Sequence, residues 1–388
     1  MRIGFDISQT GRAKAGCGYF AGGLIDALAA ADQRNEYILY PAFGDLYWDP
    51  ECATATFRAR RPGFTALDAP PNFEESQRFW TNPGKDFESR LGNPDIVHSN
   101  NFFCPRGLTH ARLVYTLHDL SFLVEPSWTT EANRVGCLDG MFRAAMNADW
   151  IVANSHYSRC HFLETFPHYP PERIEVIHPA SRFPALPVAD LHRPVRLYHL
   201  LPGRFWLSVG SIEPRKNHRR LLEAYAIARS EPSSRLPLVL AGGPGWLMDD
   251  FETTLHSMGS AGDVILTGYV SDADLEWLYR NCFAFLYPSL FEGFGMPALE
   301  ALSLGAPVIC SNTTSLPEVV GKAGLLVNPL DPRSIAAAMR KLACGEISRE
   351  ALKEAGHRQA RGFSWAASAR KLMAVYEQFH IPTDPAAR

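Results

Sequence analysis

The chain has 388 residues, 46% of them hydrophobic, which is more than one ordinary core holds and makes about two to three domains the starting expectation. A formal charge of -3 excludes the clustered Lys and Arg field that nucleic-acid binding demands, and the opening "MRIGFDISQT" lacks the apolar core of about 7 to 15 residues that a signal peptide needs. No stretch reaches the ~18 apolar residues of a spanning helix, so the expected location is the cytoplasm, with a peripheral contact on the inner membrane face left open.

In chain order, the first half reads as strands at 2–7, 36–41, 95–99, 112–119, 150–155 and 173–179, separated by helical patterns. Most are continuous apolar runs, which suits parallel strands covered by helices on both faces. Residues 182–203 carry four prolines and no clean period, and the interdomain linker is placed at 186–203 within them. The second half repeats the alternation at 205–212, 236–243, 263–269, 283–289, 307–312 and 324–329, with Asn217 and Asp272 as helix caps. The expected architecture is α/β, with two Rossmann-like doubly wound domains, 1–185 and 204–363, facing a central cleft that is the default site. A last amphipathic pattern, 365–379, predicts a C-terminal helix within 364–388 that crosses back to brace the first domain.

The stretch "LFEGFGMPALEALSLGAPVICSN" begins at Leu290 and carries the first chemical signal. Pro297 is tolerated only in a helix's first turn, so a helix must begin near Met296 and leave Glu292 in the preceding loop. Glu300 is then expected at the end of the first turn, while Gly293 and Gly295 let the backbone approach a ligand without Cβ clashes. The arrangement suits an anion, phosphate above all, flanked by two carboxylates that accept hydroxyls from a sugar and a ribose. The plainer alternative is a glutamate that only complements the helix dipole. A second signal, "GSIEPRKN" (210–217), sets Arg215 and Lys216 side by side after a buried strand, where a diphosphate needs cations.

These segments, with "LAGG", "LTGYVSDADLEWLYRNC" and "GAPVICSNTTSLPEVVGKAGLLVNPLD", resemble the retaining glycosyltransferases of the GT-B fold, family 4, over the whole second domain. The first domain resembles that family more loosely, through "GCGYFAGGLIDAL", "HDLSFL" and "NSHYSR". The resemblance implies that Arg215 and Lys216 hold the donor diphosphate beside Gly210, and that Glu300 bonds the ribose. Glu292, with the backbone N–H groups of Phe294, Gly295 and Met296, would hold the transferred sugar, and Tyr269 and Val270 would seat the base. Gly16 and Gly18 would form a loop over the phosphates, and His118 would reach the sugar. The implied partners are a nucleoside-diphosphate sugar and a glycan or lipid-linked glycan, with GDP-mannose the first expectation for donor and a UDP-sugar the alternative. A silent sugar-nucleotide-binding scaffold is the rival from another class. No cofactor and no metal are expected.

Other signals point less far. "GCGYFA" fits a dinucleotide fingerprint on paper, but its first glycine lies eight positions after Ser8 and the second strand ends without a ribose-binding acid. Eight scattered cysteines without a C-x-x-C pair read as reduced, mostly core thiols, and argue against zinc. The aromatics of "NNFFCPRG" and "QRFWTNPG" suit either acceptor stacking or packing, and Arg58, Arg60 and Arg61 read as a solvated basic loop, thin as a membrane anchor.

Overall fold

The computed structural model describes residues 1–11, 14–44, 52–68, 70, 72–183, 194, 197–258 and 263–380. They fall into two compact units, Met1–Leu120 with Ala132–Pro179 and Ser364–Arg388, and Ser121–Glu131 with Ala180–Phe363. Residues 186–193, 195 and 196 of the expected linker, and 381–388 of the expected C-terminal segment, lie outside the described residues. The described remainder of the linker is packed rather than loose, because Leu197 and Leu200 are buried in the core of the second unit.

The first unit is built on one parallel sheet of β1 (Arg2–Asp6), β2 (Glu36–Tyr40), β3 (Phe64–Ala66), β4 (Ile96–Ser99), β5 (Arg112–Leu117), β6 (Trp150–Ala153) and β7 (Ile174–Val176). Their order is β3-β2-β1-β4-β5-β6-β7, so the winding reverses between β1 and β4. All six predicted runs are strands, and β3 is the addition: three residues, of which only Phe64 is buried, paired to β2 with Tyr37 opposite Phe64. The helix Gly16–Ala31 follows β1 and buries Phe20, Leu24, Ile25 and Leu28, one stripe at helical spacing. Gly16 and Gly18 therefore stand in the first turn of a helix and not in a loop. Gly18 is glycine for a steric reason, since a Cβ there would lie 2.0 Å from the Gln9 carbonyl oxygen.

The helix Trp365–Glu377 belongs to this first unit and completes its core with Ala369, Leu372, Val375 and Tyr376. Gly23 makes room for the Trp365 ring, which a Cβ would meet at 2.4 Å. Tyr376 Oη lies 2.6 Å from the Nδ1 of buried His98. Burial pushes the His98 pKa down to about 3, with His118 adding to the effect.

The second unit is a parallel sheet of β8 (Trp206–Val209), β9 (Leu238–Ala241), β10 (Val264–Gly268), β11 (Ala284–Tyr287), β12 (Val308–Ser311) and β13 (Gly324–Val327), in the order β10-β9-β8-β11-β12-β13. Alternate residues of these strands feed two cores. Leu207, Phe285 and Val308 meet Leu299 and Leu302 on one face, while Trp206, Leu286 and Ile309 meet Leu222, Tyr225 and Met339 on the other. The winding reverses between β8 and β11, and open α/β sheets bind ligands beyond the strand ends at such a point.

Three local expectations are corrected. Ser271, not Asp272, caps the helix Asp272–Asn281, its hydroxyl accepting from the Asp274 N–H. Four of the eight cysteines are buried, while Cys160 and Cys344 are exposed; all eight are thiols. Arg58 is buried and not in a solvated loop, and it shares Asp26 with Arg61 at 3.2 and 2.9 Å, while Arg60 is exposed. Among the described residues no helix is long and apolar enough to cross a membrane.

Candidate active site

At the reversal point of the second unit, the loops after β8 and β11 lie side by side, joined by the Leu290 N–H donating to the Arg215 carbonyl at 2.8 Å. Pro214–Lys216 forms a 3-10 turn, and Asn217 ends it in the left-handed region at φ 62 before the helix His218–Ala228 begins. Asn217 sits at the cap position without capping. Its side-chain amide donates to the Pro288 and Pro329 carbonyls and pins this loop to those after β11 and β13.

This turn aims both cations at one carboxylate. Lys216 Nζ donates to Glu292 Oε1 at 2.7 Å and to the Tyr287 hydroxyl at 2.8 Å. Arg215 donates through Nη1 to Glu292 Oε2 at 3.2 Å and to the Phe291 carbonyl at 2.8 Å, and through Nη2 to Glu213 Oε1 at 2.7 Å. Burial alone would raise the Glu292 pKa, but Lys216 and Arg215 outweigh it and hold the group at about 2. The cluster is thus two cations against two buried carboxylates, Glu213 and Glu292, each charge fixed by charge-assisted bonds.

The loop that carries Glu292 is held from below. Ser315 Oγ donates to the carbonyls of Glu292 and Phe294 at 2.8 and 2.9 Å, and the Glu292 N–H donates to Thr314 Oγ1 at 3.2 Å. Phe294 is buried in the core, and Gly295 turns the chain at φ 96 into the helix Met296–Ser303, with Pro297 in its first turn. Gly210 also takes a positive φ of 144, beside the aliphatic stem of Lys216. Beyond β10, Tyr269 is 60% exposed while Val270 is buried in the core.

Glu300 departs from its expected place. It stands fifth in the helix Met296–Ser303, past the first turn, and is buried rather than turned to the helix end. Arg182 Nε lies 2.9 Å from its Oε1, and the Tyr279 hydroxyl donates to Oε2 at 3.2 Å. Burial raises the Glu300 pKa to about 7, against the lowering effect of Arg182 and Tyr279.

In the first unit, His118 follows β5, buried, with Nε2 2.8 Å from the Asn100 carbonyl oxygen. A carbonyl only accepts, so Nε2 carries the proton and Nδ1 the lone pair of the neutral ring. Burial lowers the His118 pKa despite that bond, so the ring is neutral. Asp6 closes β1 nearby in the sheet. It accepts from Ser8 and from the Asn100 N–H, and burial raises its pKa to about 6.

The second unit therefore brings together Arg215, Lys216, Glu292 and the head of the helix Met296–Ser303, whereas Glu300 keeps company with Arg182 and Tyr279. Glu213, Tyr287, Ser315 and Arg182 are the members that sequence reasoning missed. Glu213 and Tyr287 carried a signal, one standing two residues before Arg215 and the other ending a strand at the reversal point. A cavity of about 510 Å³ adjoins the cluster through Glu213, Pro214 and Leu290.

Two family models match the chain: Glycosyl transferases group 1 over residues 201–359 and Glycosyltransferase Family 4 over residues 24–180. O-antigen chain mannosyltransferase B of Escherichia coli is 37% identical over 286 residues, covering 73% of this chain and 74% of that protein. The serotype-specific mannosyltransferase WbdA of Escherichia coli is 41% identical over 173 residues, which is 44% of this chain and only 21% of that protein. Among solved structures, sucrose-phosphate synthase from Thermosynechococcus elongatus superposes with a TM-score of 0.74 at 20% identity, covering 99% of this chain and 100% of that one.

Proposed function

We propose, from the premise that this chain belongs to glycosyltransferase family 4 and has the GT-B fold, that it moves a mannosyl unit from GDP-mannose to a glycan or lipid-linked glycan in surface polysaccharide synthesis. The observation that carries the choice of sugar is the 37% identity, over 286 residues, to an O-antigen chain mannosyltransferase.

In this reading the donor diphosphate lies against Lys216 and Arg215. Lys216 has three N–H donors and spends two on Tyr287 and Glu292, which leaves one for a phosphate oxygen. Glu292 holds the pair of cations in register and accepts from hydroxyls of the transferred sugar, to which the backbone N–H groups of Phe294, Gly295 and Met296 donate. Glu300 receives the ribose, Gly210 lets the phosphates approach, and Tyr269 and Val270 border the base. His118 is the first unit's candidate for a contact with the sugar, and Gly16 and Gly18 its candidates near the phosphates.

The reaction retains anomeric configuration by same-face displacement. The bond from C1 to the diphosphate oxygen breaks, positive charge develops at C1, and the departing phosphate oxygen takes the acceptor hydroxyl's proton as the acceptor oxygen bonds C1. Lys216 and Arg215 stabilise the charge that builds on the leaving group, the position where preorganised cations act most strongly. These two cations take the neutralising role that a divalent metal has in other transferases, so turnover is expected to survive chelators.

Calorimetry with GDP and with UDP, using Lys216→Ala as control, tests the donor. Micromolar GDP binding, weakened about 10-fold in the variant, supports the mannosyl reading; preference for UDP overturns the donor and leaves the clamp. The anomeric proton coupling of the product tests retention.

A further inference from the structure

Glu300 has two neighbours that the nucleotide reading does not use. Its side chain is 3% exposed, with Oε1 on Arg182 Nε at 2.9 Å and Oε2 accepting from Tyr279 at 3.2 Å. Arg182 stands where the chain has just passed from Pro179 into the second unit. Its Nη1 donates to Asp272 Oδ1 at 3.1 Å, and its guanidinium lies 4.8 Å from the centroid of the Phe183 ring. The arginine is thereby fixed between a buried carboxylate and an exposed one.

A carboxylate offers about four lone-pair sites; the Tyr279 hydroxyl donates to one on Oε2, and Arg182 Nε stands against Oε1 as an ion pair at 2.9 Å. One site on each oxygen remains, a match for two vicinal hydroxyls. A carboxyl this deeply buried stays ionised only with a cation beside it. We infer that Arg182 is a positioning residue of the nucleotide site, keeping the Glu300 carboxylate ionised and turned so that its remaining lone pairs accept the vicinal hydroxyls of a ribose. The inference rests on the reading of Glu300 as the ribose acceptor. The charged and titratable groups that face Glu300 are Arg182 and Tyr279, which favour its ionised form, and Asp272, which opposes it.

The experiment measures dissociation constants of GDP and UDP, each beside its 2′-deoxy form, from about pH 6 to about pH 8.5, a range that spans the Glu300 titration at about 7. The protein is expected to prefer the ribo form of the nucleotide it binds by roughly 10-fold or more near the alkaline end, as for a hydrogen bond to a charged group. That preference should shrink as pH falls through about 7, where Glu300 takes a proton. Arg182→Leu should bring the ratio to within about 3-fold of one across the range, while Arg182→Lys restores most of it. Asp272→Asn should move the midpoint of the ratio to lower pH, and it serves as a second variant should Arg182→Leu fail to fold. An unchanged ratio and profile in Arg182→Leu, or an unmoved midpoint in Asp272→Asn, overturns the inference. If Glu300→Gln also leaves the ratio unchanged, or neither nucleotide binds, the ribose reading of Glu300 falls with it.

Discussion

At the scale of single residues, the decisive contact is Lys216 on Glu292 at 2.7 Å, because it ties the cation to the carboxylate whose loop opens the next helix. Glu292 stays ionised through the whole physiological range, since its pKa is held at about 2. Its folded pKa lies below the ordinary carboxylate value, so it favours the folded state above the ordinary value and that contribution fades only as pH falls toward about 2. Removing Lys216 leaves Arg215 as the cation on Glu292. Lys216→Ala is expected to lower kcat by about 10²–10³, the range for loss of one preorganised charge-stabilising donor, and to weaken donor binding by only about 10-fold. Steady-state kinetics beside calorimetry check the split. Equal losses in both would count against a role in stabilising the leaving group.

At the scale of elements, the turn at Gly295 decides where the helix Met296–Ser303 points. Gly295 takes φ 96, and a Cβ there would come within 2.5 Å of Leu316 Cδ2. Gly295→Ala should therefore cost at least about 1–2 kcal/mol from backbone strain alone. Denaturant unfolding would read that loss, and nucleotide affinity should fall with it as the Glu292 loop shifts; unaltered stability would mean the turn relaxes freely. The helix start was legible in the sequence because proline and glycine act locally. So were twelve of the thirteen strands, since a strand buried on both faces is a continuous apolar run; β3 escaped because it pairs only three residues. That Arg215 and Lys216 stand together was legible because they are adjacent in the sequence after a buried strand. The partnership of Glu300 with Arg182 was not, because 118 positions separate them and only the packed fold brings them to 2.9 Å. Gly16 and Gly18 misled in the opposite sense: the family resemblance implied a loop, yet both stand in a helix and Gly18 is required by the approach of the Gln9 backbone to it.

At the scale of the whole molecule, the helix Trp365–Glu377 closes the core of the first unit after the chain has completed the second. Losing it would remove Leu372, Val375 and Tyr376 from that core and leave His98 Nδ1 without its Tyr376 partner. A single buried leucine lost to a cavity costs about 2–5 kcal/mol, a large share of the ~5–15 kcal/mol that stabilises a typical domain. Truncation after Phe363 is expected to abolish cooperative unfolding of the first unit while the second keeps its transition and its nucleotide binding. Hydrogen exchange read separately for the two units checks this, and protection retained around Leu24 and Ile25 would overturn it. The same connectivity sets an order on biosynthesis. Residues 180–363 must all emerge before 365–377 do, and at about 5–20 residues per second the nascent first unit waits roughly 10 to 40 s with the groove beside Gly23 open. By the end of that interval the ribosome carries a nearly finished second unit beside a first one whose Phe20, Leu24 and Ile25 still lack the C-terminal helix that completes their core.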